Sequence, residues 1–396
     1  MANKSEKRNL VISIGTAGVQ ALEYSFPPGG GNRATDVSVP EVMNIIELNH
    51  DPLPTVEEKA LLRSIRRDLI EIKKQISDAR TESVTLILSS PWYFSQSRSV
   101  VVERDRPFIV DKPFINQLLD EEKRIFLNRA TTQLSIPESD EPELLETSIM
   151  SVLLNGYETD SFLGKKVQHL RLSIYMSMTL RSLFNELRSI MEEHFSPKKV
   201  IVHSGPYVIF KTAVQILEIG SAGAVIVDIG GEITDIIVIR GGIIAENLSF
   251  GRGLHFILRR MSSAISVSPA EALSYLKAYA DGHADESQEK KLGAVLSEAM
   301  TEWQGMFYQA IAGAARVSLL PNSFMLIGEG AQFNIFSSAI EKGGWEELLY
   351  RVSPIKIETL YPKFFRDHLR GGGKQFGGGP ASTQLFFAMF STEQEI

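Results

Sequence analysis

The chain has 396 residues, a formal net charge of −7, 43% hydrophobic residues and no cysteine. That length is ample for a buried core and for two or three domains. The missing cysteines exclude a disulfide framework, a thiolate zinc site and a cysteine nucleophile, and the acidic excess argues against nucleic acid as a partner.

Met1 to Asn9 is charged and polar, unlike a secretory leader or a lipidation site, and no apolar run approaches the ~18–20 residues of a membrane span. The expectation is a soluble cytoplasmic protein. Leu10–Ile14, a turn at Gly15-Thr16, and Val19–Tyr24 predict a hairpin. Pro27 to Gly31 is loop chemistry, and Val37–Leu48 is a further strand interrupted by Pro40. Between Thr55 and Ala79 the apolar residues Leu61, Leu62, Ile65, Leu69, Ile72 and Ile76 are spaced for an amphipathic helix.

The texture changes near Ser83. Val84–Leu88 is a buried-strand run, and Ser99–Val102 with Pro107–Val110 predicts an extended pair or bent hairpin. A helix follows over Lys112–Asn128, with Asp111 as N-cap and Pro113 in its first turn. Glu138–Glu143 is an acidic loop, and Glu146–Leu154 and Val167–Met178 are strands. Residues 83–178 therefore form a compact α+β block of strand, helix, strand, strand. Helix returns at Leu180–His194, then a strand at Lys199–His203 and a helix at Pro206–Leu217. Ala224–Asp228, Ile236–Ile239 and Ile243–Leu248 are strands; residues 253–266, 269–280 and 287–318 are mainly helical; Phe324–Ile327 is a strand followed by a helix to about Ile340.

Two segments look alike. Val11-Ile12-Ser13-Ile14-Gly15-Thr16 and Ile226-Val227-Asp228-Ile229-Gly230-Gly231-Glu232-Ile233-Thr234-Asp235 are each an apolar strand running into a glycine turn and returning as a strand. Glycine at a strand end lets backbone N–H groups approach an anion, so two such hairpins facing each other can clamp phosphate. A third glycine turn, Gly328-Glu329-Gly330-Ala331, sits between a strand and a helix.

On these three turns the chain resembles the actin-like ATPase superfamily, and within it the bacterial FtsA and PilM branch, of cell division and type IV pilus assembly. Ile14-Gly15-Thr16 resembles the first phosphate loop, Val227 to Asp235 the second, and Leu326 to Ala331 the adenosine loop. The block at 83–178 matches the inserted domain of that branch in position and order. The resemblance implies an α/β, actin-like (ribonuclease H-like) two-lobed fold with an inserted α+β domain. Residues 8–82 with 179–222 would build the first half and 223–370 the second, with 371–396 a glycine-rich loop and closing helix. It implies ATP with magnesium held by Gly15, Thr16, Asp228, Gly230, Gly231, Thr234, Glu271, Gly328, Gly330 and Ala331, with Asp228 facing the metal. Ser13 stands where hydrolysing members carry an aspartate; Glu232 and Glu329 replace loop glycines; Ser274 replaces a lysine three residues after Glu271. Weak or absent hydrolysis is expected, and no catalytic residue is assigned.

Asp235 is expected to be structural, Ser13 to be turn filler, and the seven histidines to form no ligand cluster. The C-terminal Leu385 to Phe390 is apolar but lacks the neighbouring Lys and Arg that a membrane-surface helix needs, so it is expected to pack on the core. The expected role is a PilM-like scaffold that binds a short cytoplasmic peptide of an inner-membrane assembly protein, in the groove between the first half and the insertion, and that is recruited to the inner face of the membrane without inserting. An FtsA-like division protein, self-associating into dimers or filaments, is the alternative.

Overall fold

The structure is a computed structural model and describes residues 8–26, 40–52, 57–76, 81–217, 219, 222–283, 286–328, 333–350, 355–360 and 389. The first hairpin forms as its sequence dictates, from β1 (Arg8–Ile14) and β2 (Gly18–Ser25) in antiparallel register. β3 (Glu41–Asn49) pairs with β2 and begins just after Pro40, whose missing N–H cannot serve a ladder. β1 also pairs, in parallel, with β4 (Thr81–Leu88), which pairs with β9 (Lys199–Ser204). The sheet order is β3-β2-β1-β4-β9.

β10 (Ala224–Ile229), β11 (Thr234–Arg240), β12 (Ile243–Phe250), β13 (Ser323–Ile327) and β14 (Lys356–Leu360) repeat this plan in the order β12-β11-β10-β13-β14. The central strands are buried on both faces, which is why they read as unbroken apolar runs. In β1, Leu10, Ile12 and Ile14 face α1 (Glu58–Gln75) and α3 (Arg181–Ile190), while Val11 faces α4 (Gly205–Ile216). In β10, Val225 and Val227 face α5 (Leu254–Ile265) and α7 (Glu286–Ala315), while Ile226 turns to the core shared with α4. Val208, Ile209 and Ala213 of α4 thus join the two sheets into one core. Met389 is helical and fully buried in that core; the rest of 371–396, where a glycine-rich loop and closing helix were expected, lies outside the described residues, as does the Pro27 to Gly31 loop.

The insertion is a third sheet, β5-β8-β6-β7, from β5 (Phe94–Ile109), β6 (Pro142–Leu154), β7 (Tyr157–Glu158) and β8 (Lys166–Leu180). α2 (Lys112–Gln133) covers it through Phe126, and the Asp111 side chain accepts from Phe114 N at 2.9 Å as the N-cap. Two boundaries differ from the sequence reading. Thr81–Leu88 belongs to the first sheet, so the insertion starts after β4, not at residue 83. The expected pair at 99–110 is one long strand whose register on β8 shifts between Glu103 and Phe108, because the charged stretch between them bulges out.

Candidate functional site

The two glycine turns meet. In the first, Gly15 N donates to Gly18 O at 3.1 Å; in the second, Gly230 N donates to Ile233 O at 3.0 Å. Glu232 N then donates to Thr16 Oγ1 at 2.9 Å, from one turn to the other. Gly231 lies so close to the opposing turn that a Cβ there would sit 2.7 Å from Ala17 N and 2.8 Å from Thr16 C. The second turn is also fastened from behind: Leu254 N and His255 N at the start of α5 donate to Gly230 O and Gly231 O at 3.0 and 2.8 Å.

A cavity of about 310 Å³ opens beside this contact. Ser13, Gly15, Thr16 and Gln20 line it from the first hairpin, and Asp228, Gly230 and Asp235 from the second. Ser13 is paired with Gln20, and Asp228 with Asp235, directly across each antiparallel ladder. Opposed residues share a face, so both pairs present their side chains together. His50 and Asp51 follow β3, Ser89 and Ser90 follow β4, and His255 comes from α5. Lys277, from α6 (Pro269–Ala280), and Gly328, at the end of β13, complete the wall. Asp235 accepts from Ser90 Oγ at 2.6 Å, and burial pushes its carboxyl up to about 6. It lines the cavity, and its bonds to Ser90 also fit the structural role expected of it. Ser13, expected as filler, is buried in the same wall.

Several carried-over residues sit elsewhere. Glu271 closes a capping box with Ser268, its Oε2 accepting from Ser268 N at 2.9 Å and Ser268 Oγ at 2.7 Å, and it does not line the cavity. Thr234 is fully buried, donating to Arg252 O at 2.7 Å and accepting from Trp303 Nε1 at 3.2 Å. Gly231 serves the contact between turns. Gly330 and Ala331 lie outside the described residues, as does Glu329. Glu232, the loop-glycine replacement, turns away from the cavity toward α5. Both its oxygens take a 2.7 Å bond from Arg259, and His255 Nδ1 lies 3.1 Å from Oε1. Burial opposes the charge, but the His255 and Arg259 bonds prevail and hold the carboxyl down at about 2.

These contacts decide how a phosphate and a metal fit. Three amides of the turns, those of Gly15, Gly230 and Glu232, are already engaged within or between the turns. A phosphate wedged between the turns must replace the Thr16 hydroxyl as acceptor for Glu232 N. Asp228 and Asp235 supply the hard oxygen donors magnesium takes, and magnesium usually keeps several waters and draws further ligands from phosphate. Among the described residues no group of three or more His, Cys, Asp or Glu is placed to hold a metal by itself. The residues therefore suit a metal–phosphate ligand better than a bare ion.

A second cavity, about 410 Å³, lies between the insertion and the first half. Leu144 to Ser148 of β6 form one wall and Lys199 to His203 of β9 the other, with Phe184 and Tyr207 beside them. β9 is the outer strand of its sheet, and β7 pairs with β6 only at Leu153 and Leu154. Among the described residues, two strand edges thus face this groove without a strand partner. Glu146 is buried in its wall and gathers His203 Nδ1 (3.0 Å), Ser204 N (2.8 Å), Ser204 Oγ (2.9 Å) and the Ser177 hydroxyl.

No protein-family model matches the chain, and no curated protein does. Among solved structures, the chain is similar to a PilM–PilN type IV pilus biogenesis complex with a TM-score of 0.60 and 14% identity, over 91% of this chain and 89% of that one. It also aligns with MreB 5 of Spiroplasma citri bound to AMPPNP, with a TM-score of 0.43 and 12% identity, over 98% and 95% of the two chains. At such identities the likeness is one of fold. The fold is that of the actin-like ATPases, with similarity to PilM.

Proposed function

We propose that this protein is a PilM-like docking scaffold, bound at the inner face of the membrane by the short cytoplasmic tail of an inner-membrane assembly protein. The observation that carries the reading is the groove between β6 and β9. Two exposed strand edges offer main-chain hydrogen bonds to an extended peptide, and Leu144, Phe184, Val200 and Tyr207 offer apolar pockets for its side chains. The similarity to a PilM–PilN complex supports the same kind of partner. Among the described residues no helix is long and apolar enough to cross a membrane.

In this reading the cavity at the glycine turns holds ATP with magnesium as a structural ligand. Gly15, Thr16, Asp228, Gly230 and Gly328 would contact it, Asp228 on the metal side. Turnover is weak, because Ser13 cannot help order the water shell of a metal as a carboxylate does.

The test is a binding titration. Labelled peptides covering the cytoplasmic tails of single-span inner-membrane proteins encoded beside this chain are added to the full-length protein. Micromolar binding that Phe184→Glu abolishes supports the reading. Binding that ignores Phe184→Glu, or no binding by any such tail, ends it.

A further inference from the structure

The two cavities are joined by a buried polar chain. At the glycine turns, Ser90 Oγ donates to Asp235 Oδ1 at 2.6 Å, and the Ser90 side chain neighbours the Tyr93 hydroxyl. Asn247 on β12 donates its amide to the Tyr93 hydroxyl at 3.4 Å and to Ser95 Oγ at 2.8 Å. Ser95 neighbours the Tyr175 hydroxyl, which lies 2.9 Å from Ser204 Oγ. Ser204 bonds to Glu146 in the groove wall at 2.8 and 2.9 Å. Tyr175 also stacks on Tyr207 of that wall, ring centres 6.0 Å apart. Burial raises both phenols above their ordinary range, so each remains a neutral donor in the chain.

The route crosses all three parts of the molecule. Ser90 and Ser204 belong to the first half, Ser95 and Tyr175 to the insertion, and Asn247 and Asp235 to the second half. Each link is a side chain with two polar neighbours, so a shift at one end changes what the next can satisfy. The joint is Asn247. It ties the second half to the insertion, yet its Oδ1 is buried with no hydrogen-bond partner among the described residues. An amide with its oxygen unmet is the least secure link, because a displacement that brings that oxygen to a donor or to water removes the cost of leaving it unsatisfied.

We propose that the groove between β6 and β9 and the cavity at the glycine turns are coupled through this chain, with the Asn247 contact to the insertion as the element that makes or breaks. The inference rests on the docking reading and names its regulation. A ligand drawing on Asp235 releases Ser90, loosens Tyr93 and Asn247, and lets the insertion move against β9. A peptide in the groove acts in reverse through Glu146 and Tyr175, since coupling between two sites is reciprocal.

The experiment is hydrogen exchange on the full-length chain, with no ligand. Ser90→Ala should speed exchange at groove amides 144–148 and 199–204 by about threefold to tenfold. The same change in a Tyr175→Phe background should do little, because the phenol that carries the link is gone. Ser268→Ala, at the remote start of α6, should leave the groove unchanged. If Ser90→Ala does not fold, Asn247→Ala breaks the chain at its joint and carries the same expectation. Unaltered groove exchange in a folded Ser90→Ala or Asn247→Ala chain overturns the proposal, and so does an effect that persists undiminished with Tyr175→Phe. These arms need no ligand, so a failed peptide titration overturns the docking reading alone.

Discussion

Glu232 N donates to Thr16 Oγ1 at 2.9 Å across 216 residues of sequence, and this bond holds the two phosphate-type turns against each other. Both groups are buried. Thr16→Val removes the acceptor and strands a buried amide, which should cost about 1–3 kcal/mol in urea unfolding. Thr16→Ser keeps the oxygen and should recover most of that. A loss from Thr16→Ser with none from Thr16→Val would show that the methyl group, not the hydroxyl, matters.

The same contact sets the size limit at Gly231. A Cβ at 2.7 Å from Ala17 N meets backbone, not a flexible side chain, so the turns must part. Gly231→Ala should therefore destabilise the protein by more than Thr16→Val and should raise proteolytic cleavage near both turns. Gly241→Ala probes a glycine with open space around it but a φ of +54°, so its cost should stay near the ~1 kcal/mol expected of backbone strain.

Glu232 carries a pH signature. Its folded carboxyl sits near 2 against an ordinary 4.5, so its contribution to stability is present above about pH 4.5 and is lost as pH falls toward 2. Arg259→Leu leaves the carboxylate buried with His255 as its remaining partner. The expected loss is roughly 3 kcal/mol at pH 7. It should shrink on acidification, because wild type then loses the same interaction. Chemical unfolding of both proteins at pH 7 and pH 3 measures the difference.

Much of this was legible in the chain. β1 and β10 announced themselves because both faces of each are buried, and Asp111 announced α2 because a cap is a local pattern. Tertiary relations were not. β4 lies between β1 and β9 through pairings that no local pattern encodes. Arg259 is 27 residues from Glu232, and Ser90 is 145 residues from Asp235. Glu271 was assigned to the nucleotide by resemblance, yet Ser268 three residues earlier already spelled a capping box. His50, paired with Asp68 at 2.6 Å and lining the cavity, gave no signal because its partner is a helix away.

Asp235 should behave in the opposite sense to Glu232. Burial raises its carboxyl from 3.8 to about 6, so the group favours folding fully below about pH 3.8 and that benefit is lost as pH rises through 6. Asp235→Asn keeps an oxygen for Ser90 but removes the buried charge. The variant should melt higher than wild type at pH 7.5, and the advantage should vanish near pH 4. A melting difference independent of pH would mean the charge is not what the substitution relieves.

The cleft itself is tested by ligand-induced stabilisation. A ligand at 100 times its dissociation constant adds roughly 2.7 kcal/mol to the folded state. ATP with magnesium should raise the melting temperature of the full-length chain. Asp228→Ala should remove that rise, since Asp228 is the cavity carboxylate proposed to face the metal. Ser13→Asp probes the proposed weakness of turnover directly: it places a carboxylate at the end of β1, on the same face as Gln20 and within the same cavity. If Ser13 is what limits turnover, phosphate release should be near background in wild type and should rise in Ser13→Asp, with binding retained. Release already strong in wild type and abolished by Asp228→Ala would instead make this protein a working ATPase and remove the physical basis for reading the cleft as a structural ligand site.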